Sequence, residues 1–125
     1  MITGIGVDII EIDRIRASVE QHGERFLTKL FTPAEIAYCS SKQNMHQHFA
    51  GRFAAKEALS KALATGWTGS FRWKDVEIIN EVSGRPRISL HGSLSTVLSP
   101  SAIHVSFSHS LTHVVAFVVI EGLAP

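Results

Sequence analysis

Residues 44–64 read NMHQHFAGRFAAKEALSKALA. The run holds no proline and only one glycine, Gly51, and it stops before Thr65-Gly66, a common way for a helix to end. At about 100° per residue, Ala50, Phe53, Ala54, Glu57 and Lys61 share one arc. Two charged residues therefore interrupt an apolar face, and a charged pair on an inward side points to a cleft or a partner. Arg52 and Lys56 fall on a neighbouring face, which reads as an ordinary solvated one unless phosphates or a partner protein use it. The placement of this helix decides the fold class, because the sequence pattern changes on either side of it.

Upstream, Ile5, Val7 and Ile9 alternate with Gly6, Asp8 and Ile10. That is a strand with one apolar face, and Asp8 lies on the face shared with Gly4 and Gly6. Glycines beside an acidic group leave room for something to approach the backbone. Helical spacing follows from Ile12 to Val19 and ends at Gly23, and Thr32-Pro33-Ala34-Glu35 is a capping box with proline at the first helical position. Downstream, Val76 and Ile78 alternate with Glu77 and Ile79, Ser83-Gly84-Arg85-Pro86 reads as a turn, and Ile88-Ser89-Leu90 is its partner strand. A short helix is expected over Gly92–Leu98, then a strand in which Ile103, Val105 and Phe107 alternate with His104, Ser106 and Ser108. Val114 to Ile120 is apolar throughout, which predicts a central strand buried on both faces. Helices followed by hairpin-linked strands predict an α+β fold, a mainly antiparallel sheet packed against a long central helix and shorter helices.

The composition is consistent with that. A chain of 125 residues fits one domain, expected over residues 1–125. With 45% hydrophobic and 18% charged residues it is no disordered segment. Twelve Lys plus Arg against 11 Asp plus Glu argue against a general nucleic-acid or membrane binder, although local patches are left open. The single cysteine, Cys39, excludes an intramolecular disulfide and a cysteine-built zinc site. The longest apolar run falls far short of the roughly 18 residues of a membrane span, and the N-terminus has no signal-peptide pattern, so a cytoplasmic protein is expected.

An aspartate inside an apolar alternation is costly unless it is paired or binds a cation, the bland alternative being an exposed sheet-edge position. Asp8 and Glu57 together could give Mg²⁺ two oxygen ligands, since that ion takes one or two carboxylates along with waters and substrate phosphates. Glu57 and Lys61, four apart, are otherwise an ordinary helix-surface pair. His104, Ser106 and Ser108 form a polar strip able to donate to an anion. His109 and His113 give a weak zinc pattern, and no nucleotide-loop or nucleophile-elbow motif is present. The residues alone reach Mg²⁺-assisted phosphoryl chemistry, with a metal-dependent phosphoesterase using Asp8, Glu57 and His109 as a competing reading.

Three blocks then resemble one family. Residues 4–12, GIGVDIIEI, are similar to the opening of the holo-acyl-carrier-protein synthases; residues 49–58, FAGRFAAKEA, with Lys61 following, resemble their central helix motif; and residues 103–109, IHVSFSH, with the closing Val119-Ile120-Glu121, resemble their last hairpin. The blocks keep their order across nearly the whole chain. The resemblance implies the 4′-phosphopantetheinyl transferase fold. It implies that the chain moves the phosphopantetheine arm of coenzyme A onto a serine of apo acyl carrier protein, releasing adenosine 3′,5′-bisphosphate. It implies Mg²⁺ bound by Asp8 and Glu57, with Glu57 taking the serine proton directly or through a water, and Lys61 neutralising or protonating the leaving side. Arg52, Lys61, Thr65, Gly66, His104 and Ser106 would line the coenzyme A site, and Arg14 and Arg25 would meet the acidic carrier. Two positions depart from the pattern: Gln21 stands where a basic residue is frequent, and Ala64 where a glycine is usual. The resemblance also implies a homotrimer with sites at subunit interfaces. That fits the difficulty of building a coenzyme-sized cleft within one small domain.

Overall fold

The computed structural model describes residues 1–63 and 71–122. Strand β1 (Ile2–Glu11) leads into helices α1 (Ile12–His22), α2 (Glu24–Leu30), α3 (Pro33–Ser40) and α4 (Met45–Leu63). After a short 3₁₀ turn at Trp73–Asp75 come β2 (Val76–Asn80), β3 (Pro86–Leu90), α5 (Gly92–Leu98), β4 (Ala102–His109) and β5 (His113–Glu121). The three long strands form an antiparallel sheet in the order β1-β5-β4, and β2 and β3 make a separate hairpin. The α+β architecture with a central helix is therefore as the sequence predicts. Local signals explain much of it. Thr32 Oγ1 accepts from Glu35 N at 3.2 Å while Thr32 N donates to Glu35 Oε1 at 2.9 Å, a closed capping box that starts α3. Gly23, at φ 56°, ends α1 in a conformation that costs a glycine little.

Helix α4 lies against β1 and β5, and the two glycines of β1 are the reason it can. A Cβ at Gly6 would fall well inside contact distance of the Ala58 carbonyl oxygen, and one at Gly4 inside that of Ala62. What approaches the β1 backbone is thus the backbone of α4. Gly6→Ala is expected to cost about 1–3 kcal/mol or more, since the obstacle is main chain and cannot swing aside. Gly51→Ala is the contrasting variant: its Cβ would meet Val114 Cγ1 at 3.6 Å, an ordinary contact, and a helix-interior glycine carries a penalty of roughly 0.5–1 kcal/mol that alanine removes. Urea denaturation of both reads the two signs, and a stable Gly6→Ala protein would contradict the packing described.

The two faces of β1 are as its alternation describes, and the apolar one is turned outward: Ile5, Val7 and Ile9 are 59%, 52% and 64% exposed, while Gly6 and Ile10 face the helix. Two expectations are corrected. First, β5 is central but not buried on both faces. Val114, Ala116, Val118 and Ile120 are buried under α4, whereas Phe117, on the other face, is 44% exposed. Second, Arg52 and Lys56 lie on no solvated face, for both are buried. Helix α4 is surrounded by the sheet, α1, α3 and the hairpin, so Phe49, Ala50, Ala54, Ala55, Ala58 and Leu59 are buried around most of its circumference.

Lys56 is held by geometry that satisfies all three of its donors. Its Nζ donates to Leu30 O at 2.8 Å, Glu35 Oε1 at 2.7 Å and Trp73 O at 3.0 Å. Burial lowers its pKa, and the adjacent Glu35 carboxylate opposes that. Glu35 Oε2 also accepts from Ile78 N at 3.0 Å, so one carboxylate ties α3, α4 and β2 together. Cys39 is fully buried, and burial pushes its thiol up to about 12, which makes it inert as a nucleophile. Among the described residues no helix is long and apolar enough to cross a membrane.

Candidate active site

The inner face of β1 presents, in turn, Gly4, Gly6 and Asp8 to α4. Because the glycines bring the helix close, Asp8 meets side chains of α4 directly. Lys61 Nζ donates to Asp8 Oδ1 at 2.9 Å and to Val7 O at 3.1 Å. The Asp8 side chain is 15% exposed and that of Lys61 54%, so the pair sits at the rim of the helix–sheet junction. Glu57, one turn earlier on the same side of α4, is half-buried. Burial raises its carboxyl above the ordinary value, the Asp8 carboxylate raises it further, and Lys61 partly offsets both. Two carboxylates that feel each other's charge, with an ammonium alongside, are an oxygen donor set suited to a hard divalent cation. Among the described residues no three of His, Cys, Asp and Glu gather around a common point, so His109 does not join Asp8 and Glu57 as a third ligand.

The strand register decides what else shares this site. Asp8 pairs with Ala116 and Ala116 with Phe107, so those three lie on the face toward α4. His104 pairs with Val119 and Ser106 with Phe117, which puts the polar strip on the opposite face, beside Ile5, Val7 and Ile9. Within one chain, then, Asp8, Glu57 and Lys61 come together, and His104 and Ser106 do not join them. Thr65 and Gly66, with Ala64, lie outside the described residues.

Arg52 occupies a third place. It is five residues before Glu57 on α4, hence on a different side of the helix. Its Nη2 donates to Asn80 Oδ1, its guanidinium lies 4.4 Å from the Tyr38 ring centroid, and its buried Nε finds no hydrogen-bond partner among the described residues. Beside it opens a cleft of about 210 Å³ lined by His48, Asn80, Gly84, Pro86 and His109 among others. Burial lowers the pKa of His48, and the positive charge of Arg52, then Lys42 and His109, lowers it further. This cationic cleft was invisible in the sequence because its members come from α4, the β2–β3 hairpin and the end of β4. Arg14 and Arg25 are exposed on α1 and α2, and Arg25 shares a shallow cleft with His22, Phe26 and Lys29. Lys29 follows Arg25 by one turn on α2, a spacing that is legible in the sequence.

A family model described as the 4′-phosphopantetheinyl transferase superfamily matches residues 4–118. A holo-[acyl-carrier-protein] synthase of Koribacter versatilis is 46% identical over 124 residues, covering 97% of this chain and 99% of the relative. One of Chlamydia muridarum is 47% identical over 118 residues, 94% of either chain. The crystal structure of the Neisseria meningitidis holo-[acyl-carrier-protein] synthase superposes with TM-score 0.87 at 34% identity, covering 97% of this chain and 99% of that one. The Helicobacter pylori enzyme in complex with coenzyme A gives TM-score 0.82 at 32% identity, covering 94% and 99%.

Proposed function

Because this chain belongs to the 4′-phosphopantetheinyl transferase superfamily, as a holo-acyl-carrier-protein synthase, we propose that its reaction depends on Mg²⁺ and runs at Asp8, Glu57 and Lys61. The enzyme transfers the 4′-phosphopantetheine arm of coenzyme A to a serine of apo acyl carrier protein. The observation that carries the metal reading is the convergence of the Asp8 and Glu57 carboxylates next to the Lys61 ammonium. Mg²⁺ bound by Asp8 and Glu57 would supply a Lewis acid for the pyrophosphate.

The chain's own residues account for the rest. Glu57 takes the proton of the carrier serine, directly or through a water, as the serine oxygen forms its bond to phosphorus. The bridging P–O bond of the pyrophosphate breaks, and Lys61 neutralises or protonates the departing adenosine 3′,5′-bisphosphate. Arg52, with a buried N–H to spare in a cationic cleft, binds a phosphate of coenzyme A; His104 and Ser106 donate to another part of the same molecule, alongside Thr65 and Gly66. Arg14 and Arg25, joined by Lys29, dock the acidic carrier.

One consequence follows from the register. Asp8 and His104 lie on opposite faces of a single sheet, so both can serve one coenzyme only if the outer face of one chain meets the site of another. The exposed apolar residues Ile5, Val7, Ile9 and Phe117 support such a covering. The proposed assembly is a homotrimer. Light scattering at micromolar concentration is expected to give three times the chain mass of 13.7 kDa, and a monomeric mass counts against the shared site.

Activity is read by incubating the protein with apo carrier protein, coenzyme A and Mg²⁺ and weighing the carrier by mass spectrometry. Added phosphopantetheine is expected, lost with EDTA and restored with Mg²⁺. No addition under conditions where another synthase modifies the same carrier would sink the reading.

A further inference from the structure

We propose that Glu121 is a positioning residue for His104, an inference that rests on the reading of His104 as a coenzyme A contact. Glu121 ends the central strand. Its backbone pairs with Ile2 of β1 on one side and Ala102 of β4 on the other, and the next residue is tied down as well, Gly122 N donating to Met1 O at 2.8 Å. The carboxylate therefore springs from main chain held on both edges. His104 is its diagonal neighbour on the same face, since His104 pairs with Val119 and Glu121 lies two residues further on. Glu121 Oε1 stands 3.1 Å from His104 Nε2.

The pair is half exposed on both sides, 53% and 51%, so it contributes little to stability. What it does instead is chemical. A carboxylate accepting from Nε2–H fixes the plane of the ring and stabilises the imidazolium when an anion binds, so that Nδ1–H is the group left to donate to that anion. Ser106, next along the same face, places a hydroxyl in reach of the same anion. Glu121 touches no substrate; its effect on coenzyme A passes through the imidazole.

The experiment uses the full chain with coenzyme A and apo carrier protein, in Glu121→Gln, His104→Ala and the double variant. Glu121→Gln is expected to raise KM for coenzyme A roughly fivefold, the effect of weakening one charge-assisted contact, with kcat within about twofold and an unchanged melting temperature. In the His104→Ala background the same substitution is expected to do nothing more, because the group it orients is gone. With coenzyme A bound, side-chain ¹⁵N spectra should show both ring nitrogens of His104 protonated in the parent and a mixture of forms in Glu121→Gln. An unchanged protonation pattern, an unchanged KM, or a full fivefold effect persisting in the double variant overturns the proposal. His104→Ala with KM unaltered overturns the coenzyme contact itself, whatever the spectra show.

Discussion

Glu57→Gln is expected to lower kcat about a thousandfold or more while leaving the protein at least as stable as the parent. Glutamine keeps the size and one acceptor oxygen of the carboxylate but neither its charge nor its proton affinity, so a metal ligand and a proton acceptor are lost together. Stability moves the other way for a reason visible at the site. Burial and the neighbouring Asp8 raise the Glu57 carboxyl, so in the metal-free protein the folded state holds that proton more tightly than the unfolded one. With a folded pKa above the unfolded value, the group's contribution to stability is greatest below the ordinary carboxylate range and falls as pH rises through the folded value. The glutamine variant lacks that decline and should gain on the parent at neutral pH. Turnover by mass spectrometry and metal-free denaturation at two pH values check both halves. Retained Mg²⁺-dependent activity would refute the metal role of Glu57, and a marked loss of stability would refute the account of its environment.

Glu35→Ala carries the largest expected cost to the fold, about 3–5 kcal/mol, the scale of breaking a buried ion pair by removing one partner. The variant leaves the Lys56 ammonium in the core with two carbonyls in place of two carbonyls and a carboxylate, and it orphans the N–H groups of Thr32 and Ile78. Replacing both partners, Glu35→Leu with Lys56→Met, is expected to recover most of the loss, because no charge then remains buried. Equilibrium unfolding in urea with the two single variants and the double supplies the cycle. A Glu35→Ala protein within about 1 kcal/mol of the parent would show that Lys56 reaches solvent on losing its partner, contrary to the fully buried geometry.

The elements that were legible from sequence are those specified by neighbours along the chain. The Thr32–Glu35 capping box, the hairpin closed by Ser83-Gly84-Arg85-Pro86 and the short helix from Gly92 all rest on contacts within a few residues, and each stands where its pattern placed it. Asp8, Glu57 and Lys61 were singled out as residues, but their encounter required the β1 strand and α4 to meet across more than fifty positions. The burial of Lys56 is not legible in the sequence, because helical periodicity reports only which residues share a face. It does not report that a carboxylate from α3 makes a buried face tolerable for a cation.

Sequence by itself determined the fold class, the family and the chemistry on offer: two carboxylates, a lysine one turn away and a His/Ser strip. Only the tertiary structure decided which face of each strand is inside. Alternation in β1 specifies two faces of opposite character, and hydrophobicity alone would bury Ile5, Val7 and Ile9. The glycine face is the one packed instead, because α4 approaches so closely that no side chain fits between its carbonyl oxygens and β1. That choice brings Asp8 to Lys61 and leaves His104, with the apolar residues beside it, on the outer face.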